Sequence, residues 1–204
     1  MRAITFLTCT VNALGVCRIK STLGMWVATT AITLRKRACI TASALVLLTG
    51  CLHQPEPVVA PISQLDAERY MGTWYEIMRM PNRFQRDMTQ VSANYRLNDD
   101  GTFEVVNRGY DTRKGEWNTA IGKARPIDGM AAGFRVSFQW PFRGGYYIVE
   151  LGDNYEYAIV VSDSHDYFWL LARQPQLPRW LVDRTLARAL EWGFDIDEMV
   201  ETSH

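Results

Sequence analysis

From residue 70 onward, apolar and polar side chains alternate with a period of two, in short runs separated by turn residues. This is the pattern of strands with one buried face. The first run, residues 70–80, stops at Pro81-Asn82. Residues 91–97 set Val91, Ala93, Tyr95 and Leu97 against Ser92, Asn94 and Arg96, then reach Asn98-Asp99-Asp100-Gly101, a hairpin signal. The next run places Phe103, Val105 and Asn107 on one side, and runs at 116–125, 134–140, 146–151, 156–162 and 167–172 follow. Eight runs with short connections predict an all-β fold, an eight-stranded up-and-down antiparallel β-barrel, because closure removes unpaired strand edges. After Pro178 the period changes. Val182, Leu186, Ala189 and Leu190 recur at helical spacing, with Arg184, Arg188 and Glu191 on the other side and Gly193 placed as a C-terminal cap. One α-helix packed outside the barrel is expected, with residues 194–200 as a short edge strand.

A different pattern precedes the barrel. Arg35-Lys36-Arg37 leads into an apolar stretch that closes with Leu47-Leu48-Thr49-Gly50-Cys51, the order of a bacterial lipoprotein signal. Residues 1–50 are therefore expected to be a signal peptide and Cys51 an acylated N-terminus. Residues 51–64, with Pro55, Pro57 and Pro61, read as a tether, and 65–204 as the folded domain. Residues 4–16, ending at Cys17, form a weaker alternative signal, since Val16 stands where a small residue is required. A start at Met25 would leave residues 1–24 outside the translated protein. The apolar residues 38–48 are too few to span a bilayer, which takes roughly 20. Membrane attachment then falls to acyl chains on Cys51, at about 0.8 kcal/mol per buried methylene. Leu52 stands where an Asp would resemble an inner-membrane retention signal, so the expected location is the outer membrane of a Gram-negative envelope.

Processing changes the charge balance. All six basic residues before Cys51 leave with the leader, so the mature chain carries a formal charge of about −6. A net acidic domain without a basic run argues against nucleic acid as a partner. Cys9, Cys17 and Cys39 lie upstream of the cleavage point, so the four cysteines do not form a disulfide framework. His53, His165 and His204 are too scattered for a metal site, no cofactor motif is present, and no Gly-x-Ser-x-Gly elbow occurs. The chain reads as a binding protein, not an enzyme. Monomer and homodimer both stay open.

Three segments carry a family resemblance. Tyr70-Met71-Gly72-Thr73-Trp74-Tyr75-Glu76-Ile77 resembles the first signature of the lipocalins, Gly-x-Trp on strand one. Asp163-Ser164-His165-Asp166-Tyr167 looks like the second, an acidic and tyrosine turn, and Leu171-Ala172-Arg173 looks like the third. Asn107-Arg108-Gly109-Tyr110 and Glu191-Trp192-Gly193-Phe194-Asp195 are similar to the bacterial outer-membrane and apolipoprotein D branch. The resemblance implies a structural set of Gly72, Trp74, Asp163, Tyr167 and Arg173, with the Arg173 guanidinium stacked on Trp74. It also implies a membrane-anchored lipocalin that binds fatty acids or lysophospholipids for storage, scavenging or transport. Binding of haem or pigment-like hydrophobes, a lipid-modifying activity using Glu76 and a tyrosine, and a filled structural barrel are the alternatives.

Alternation assigns the lumen. If Trp74 points inward, Glu76 and Met78 follow, and the other strands contribute Tyr95, Val105, Asn107, Phe134, Val136, Phe138, Tyr146, Tyr167 and Trp169. Ala120, Gly122 and Ala124 form a wall of small residues, which leaves room for one ligand. Tyr95, Asn107, Tyr146 and Tyr167 are candidates to orient its polar end. Glu76 is expected to be solvated beneath the open mouth or bonded to a ligand hydroxyl. Phe84 with Arg83 and Arg86, and Phe142 with Arg143, are placed at the rim.

Overall fold

The computed structural model describes residues 56–204 except 140 and 141, together with two short strands near the N-terminus. Those strands, Thr10–Val11 and Cys17–Arg18, pair antiparallel. The rest of residues 1–50, expected to be a signal peptide, lies outside the described residues, as do Cys51, His53, Trp140 and the side chain of Phe142.

A short helix, α1 (Ala67–Tyr70), is capped by Asp66, whose carboxylate accepts from Arg69 N. It leads into eight strands: β1 (Gly72–Arg79), β2 (Met88–Leu97), β3 (Phe103–Asp111), β4 (Glu116–Pro126), β5 (Gly133–Gln139), β6 (Phe142–Leu151), β7 (Tyr157–Val161) and β8 (Phe168–Ala172). Each pairs antiparallel with the next, and β8 pairs back onto β1, closing the barrel. Gly72 takes φ +93°, which a side chain would strain, at the turn from α1 into β1.

Helix α2 (Arg179–Glu191) packs Leu181, Val182 and Ala189 on an outer cluster containing Ile159, Val161, Phe168 and Phe194. Leu181 and Val182 each contribute about 1.5–3 kcal/mol on burial. Leu190, assigned to the buried face from its spacing, is 59 % exposed, and Leu181 occupies the face instead. Gly193 has φ +85° just beyond the helix, where its N–H donates to Leu190 O.

The expected edge strand over 194–200 is a 3-10 turn, Ile196–Glu198, followed by β9 (Val200–Glu201). This strand is paired rather than peripheral. β1 bonds to β2 only through residues 72–75, and β9 takes the vacated edge, pairing Val200 with Arg79 and Glu201 with Met78. Thr202 N donates to Ile77 O at 2.9 Å, and Gln90 N donates to Ser203 O. The C-terminal residues thus bridge β1 and β2.

Part of the proline-containing segment is docked on the barrel. Val58 and Val59 pack against the outer cluster, while Ile62 and Leu65 pack against the interior. Val58 N donates to Ser162 O at 3.4 Å and Ile62 N to Ile148 O at 2.9 Å. Prolines prevent regular structure without preventing apolar docking. Ser162 follows the last residue of β7, in the loop to β8 at the mouth, so Val58 lies beside the mouth.

Candidate functional site

The floor is built around Trp74, which is fully buried and donates from Nε1 to Tyr70 O at 2.8 Å. Arg173 Cζ lies 3.8 Å from the Trp74 ring centroid. Its guanidinium also donates to Thr73 O and Arg69 O, both at 2.8 Å, to Tyr70 O at 3.2 Å and to Tyr155 O at 3.3 Å. One side chain therefore ties α1, β1 and the β6–β7 turn together. Tyr155 completes the floor: its hydroxyl accepts from Asp66 N, and Arg69 stacks on its ring at 4.1 Å.

Asp163 and Tyr167 are not part of this floor, although the second signature was assigned to them. They lie at the opposite end of β7 and β8, and Asp153-Asn154-Tyr155 supplies the acidic and tyrosine turn beside Arg173. Both turns carry an acid and a tyrosine, so composition alone does not separate them. Asp163 receives Arg135 Nη1 at 2.7 and 2.8 Å, Tyr147 Oη at 2.7 Å and Gly145 N at 3.0 Å. A Cβ at Gly145 would sit 2.7 Å from those carboxylate oxygens, so this close approach needs glycine.

Above the floor the barrel is packed. Tyr95, Val105 and Phe134 are buried together with Phe103, Ala124, Ile148 and Val160. The Phe103 and Phe134 rings meet at 4.7 Å with 68° between their planes. Three tyrosines join here: Tyr70 Oη lies 2.6 Å from Tyr146 Oη, and Tyr95 Oη lies 3.0 Å from it. Burial pushes all three phenols up, Tyr95 to about 12. Sequence reasoning selected Tyr95 and Tyr146 but missed Tyr70, whose place on a helical turn hides it from strand alternation.

The upper half is open. Asn107, Val136, Tyr146 and Trp169 belong to inward-facing positions yet retain accessible surface, and Ala120 is exposed. A Cβ built on Gly144, which pairs with Val136, would meet no atom within 4 Å. The wall of small residues on β4 is only partly vacant. The Phe138 ring lies over Gly122, where a Cβ would sit 2.7 Å from it, and Ala124 is covered in the packed half. Phe138 is itself 46 % exposed at the lumen's edge, and Tyr167 stacks on Trp169 at 5.8 Å.

Glu76 departs most from expectation. It is 3 % exposed and lies 3.1 Å from Arg79 Nε, with both side chains buried. That contact is ionic and off the N–H axis, since Arg79 Nε makes no hydrogen bond. Gln85 Nε2 and Thr202 Oγ1 donate to the two carboxylate oxygens. Gln85 Oε1 accepts from Trp169 Nε1 at 3.2 Å, and Gln85 O accepts from Arg79 Nη2 at 2.7 Å. Burial pushes the Glu76 carboxyl up, against the lowering effect of Thr202, Gln85 and Arg79. The partner Arg79 was missed because β1 carries a bulge: β8 pairs Leu170 with Met78 but Leu171 with Glu76, leaving Ile77 unpaired. One inserted residue inverts the facing beyond it. Met78, assigned inward, therefore joins the outer cluster, and Arg79 turns toward the lumen.

The rim carries Phe84, 64 % exposed, with Arg83 stacked on its ring at 4.7 Å. A cavity of about 390 Å³ lies between this loop and the β3–β4 turn, lined by Arg83, Phe84, Arg86, Met88, Arg113 and Lys114 among others. Its charge is mixed, since Asp87 and Asp111 pair with Arg113 and Lys114. Among the described residues, no cluster of His, Cys, Asp or Glu is arranged to hold a metal ion. No helix among them is long and apolar enough to cross a membrane.

Comparison with known proteins bears on this geometry. The chain is 43 % identical over 157 residues to the outer membrane lipoprotein Blc of Vibrio cholerae, covering 76 % of this chain and 91 % of that protein. It is 38 % identical over 161 residues to the protein of the same name from Escherichia coli K12, covering 78 % and 91 %. Insecticyanin from the tobacco hornworm Manduca sexta shares the fold at a TM-score of 0.59 and 16 % identity, covering 74 % of this chain and 86 % of that one. The lipocalin-like domain matches residues 65–204, the stretch that forms the closed barrel, its Trp74–Arg173 floor and the outer helix. This chain belongs to the lipocalin family.

Proposed function

We propose that this protein is an outer-membrane lipoprotein lipocalin that binds fatty acids or lysophospholipids in its calyx, for storage, scavenging or transport at the cell envelope. It is a binding protein and not an enzyme, in keeping with its family. The observation that carries the reading is the open upper lumen. Val136 and Trp169 give it apolar walls, Asn107 and Tyr146 give it a few polar groups, and the space beside Gly144 is free. A largely apolar concavity with few polar groups suits a single acyl chain.

Two features support a membrane-proximal setting. The two bacterial relatives are named as outer membrane lipoproteins. Val58 is docked beside the mouth, so only six residues separate Cys51 from the docked segment. At about 3.1 Å per residue when extended, such a link would keep the barrel within roughly 20 Å of an anchor on Cys51. A lipid released in the adjoining membrane would then meet the mouth, where Phe84 is exposed.

Titration of a fluorescent fatty acid into the full-length Cys51→Ser protein tests the binding. Saturable uptake, displaced by palmitate or lysophosphatidylcholine, is expected, and no uptake of either overturns the reading. Mass spectrometry of the mature N-terminal peptide tests the anchor: a diacylglyceryl-modified Cys51 is expected, and an unmodified or internal Cys51 contradicts it.

A further inference from the structure

The tyrosine cluster has a proton inventory that does not close within the protein. Tyr70, Tyr95 and Tyr146 bring three hydroxyl protons, and only two oxygen–oxygen contacts join them, both through Tyr146. A phenol donates once. Whichever way the two bonds are directed, one proton has no acceptor in the trio, and no other hydrogen bond of these hydroxyls occurs among the described residues. Leaving a buried donor unpaired is costly, so the arrangement calls for an acceptor from outside the chain, which water supplies in the empty barrel and a ligand oxygen can replace.

That donor lies at the boundary between the packed and open halves. Tyr146 keeps an accessible edge, Phe134 is its cross-strand partner, and Gly144 lies two residues along the same face with open space above it. The open lumen beside Gly144 thus adjoins the Tyr146 ring. Resting on the lipid-binding reading above, we propose that the trio is the polar end of the ligand site and takes a single-chain fatty acid head first. The carboxyl accepts the spare hydroxyl proton and the tail points toward the mouth. The class of head group follows from the surroundings. Phe103 packs on Tyr95 and Phe134 on Tyr146, apolar surroundings that favour one small acceptor group over a glycerophosphate.

Orientation is the direct test. Palmitate carrying a 13C carboxyl and a 13C terminal methyl is bound to the full-length Cys51→Ser protein, and a water-soluble gadolinium chelate is added. The carboxyl resonance is expected to stay sharp while the methyl resonance broadens. A carboxyl that broadens with the methyl protected overturns the proposal but leaves lipid binding intact; no bound palmitate at all refutes the underlying reading instead. A second arm replaces Tyr70, Tyr95 and Tyr146 together by Phe, keeping the rings and removing every donor. Palmitate affinity is expected to fall about three- to tenfold, the equivalent of one hydrogen bond. Equal affinities of the two proteins for palmitate would contradict the assignment. Should the triple variant fail to fold, the orientation measurement on the parent protein still decides.

Discussion

Replacing Arg173 by Met keeps the length of the side chain and removes its charge and its donors. Stacking at 3.8 Å on Trp74 is lost, worth about 0.5–2 kcal/mol for a cation over an aromatic face. Four carbonyl contacts go as well, but not at equal cost. Tyr70 O keeps a donor, because Trp74 Nε1 bonds it at 2.8 Å. The bonds to Thr73 O and Arg69 O are exposed, so water replaces the guanidinium there and the loss is at the low end, about 0.5–1 kcal/mol each. The expected destabilisation is about 2–4 kcal/mol, a large share of the 5–15 kcal/mol typical of a domain. Urea denaturation followed by tryptophan fluorescence measures it. With a slope of about 1–3 kcal/mol/M, the midpoint moves down by roughly 1–2 M. Arg173→Lys keeps a charge near the ring but not the fork that reaches several carbonyls, and is expected to recover less than half the loss. A Met variant within about 0.5 kcal/mol of the parent would show that this contact does not hold the floor together.

The buried carboxylate gives a pH test. Because burial raises the native pKa of Glu76 above its ordinary 4.5, its contribution to stability is full below 4.5 and is lost as pH rises through the raised native value. The stability difference between Glu76→Gln and the parent should therefore shift toward the variant between pH 4 and pH 7; a difference independent of pH would contradict a raised value. Deleting residues 200–204 removes β9 and the Thr202 bond to Glu76, so hydrogen exchange of the β1 amides beyond residue 75 should accelerate while residues 92–95 stay protected. Unchanged exchange there would mean the tail does not close the wall. Gly145→Ala is expected to lower stability by about 1–3 kcal/mol through overlap with Tyr147 and Asp163, and a neutral result by calorimetry would count against that packing. Trp169→Ala should weaken fatty-acid binding with little change in the unfolding midpoint, since its ring is only partly buried; unchanged affinity would remove β8 from the lumen wall.

The barrel was legible because its strands are amphipathic and its turns carry Asn, Asp and Gly, as at 98–101, where period and punctuation agree. The floor pair Trp74 and Arg173 was legible through a motif. Three features were not. The bulge at Ile77 leaves no mark in the alternation of Glu76, Met78 and Met80, and alternation alone gives Arg79 no place in the lumen. The insertion of Val200 to His204 between β1 and β2 depends on backbone edges that β2 leaves free, which residue identity does not encode. Tyr70 is helical and Tyr155 lies in a turn, so neither belongs to a strand whose facing could be assigned. The vacancy opposite β4 was overstated for a related reason. Small residues create space only if larger neighbours do not fill it, and Phe138 covers Gly122.

The most direct measurement of lipid binding is native mass spectrometry of the full-length Cys51→Ser protein, purified without detergent from bacterial cells. A mass excess matching one acyl lipid per barrel, released on collisional activation and restored by added palmitate, is expected. An empty barrel that takes up neither palmitate nor lysophosphatidylcholine would contradict a lipid-binding calyx.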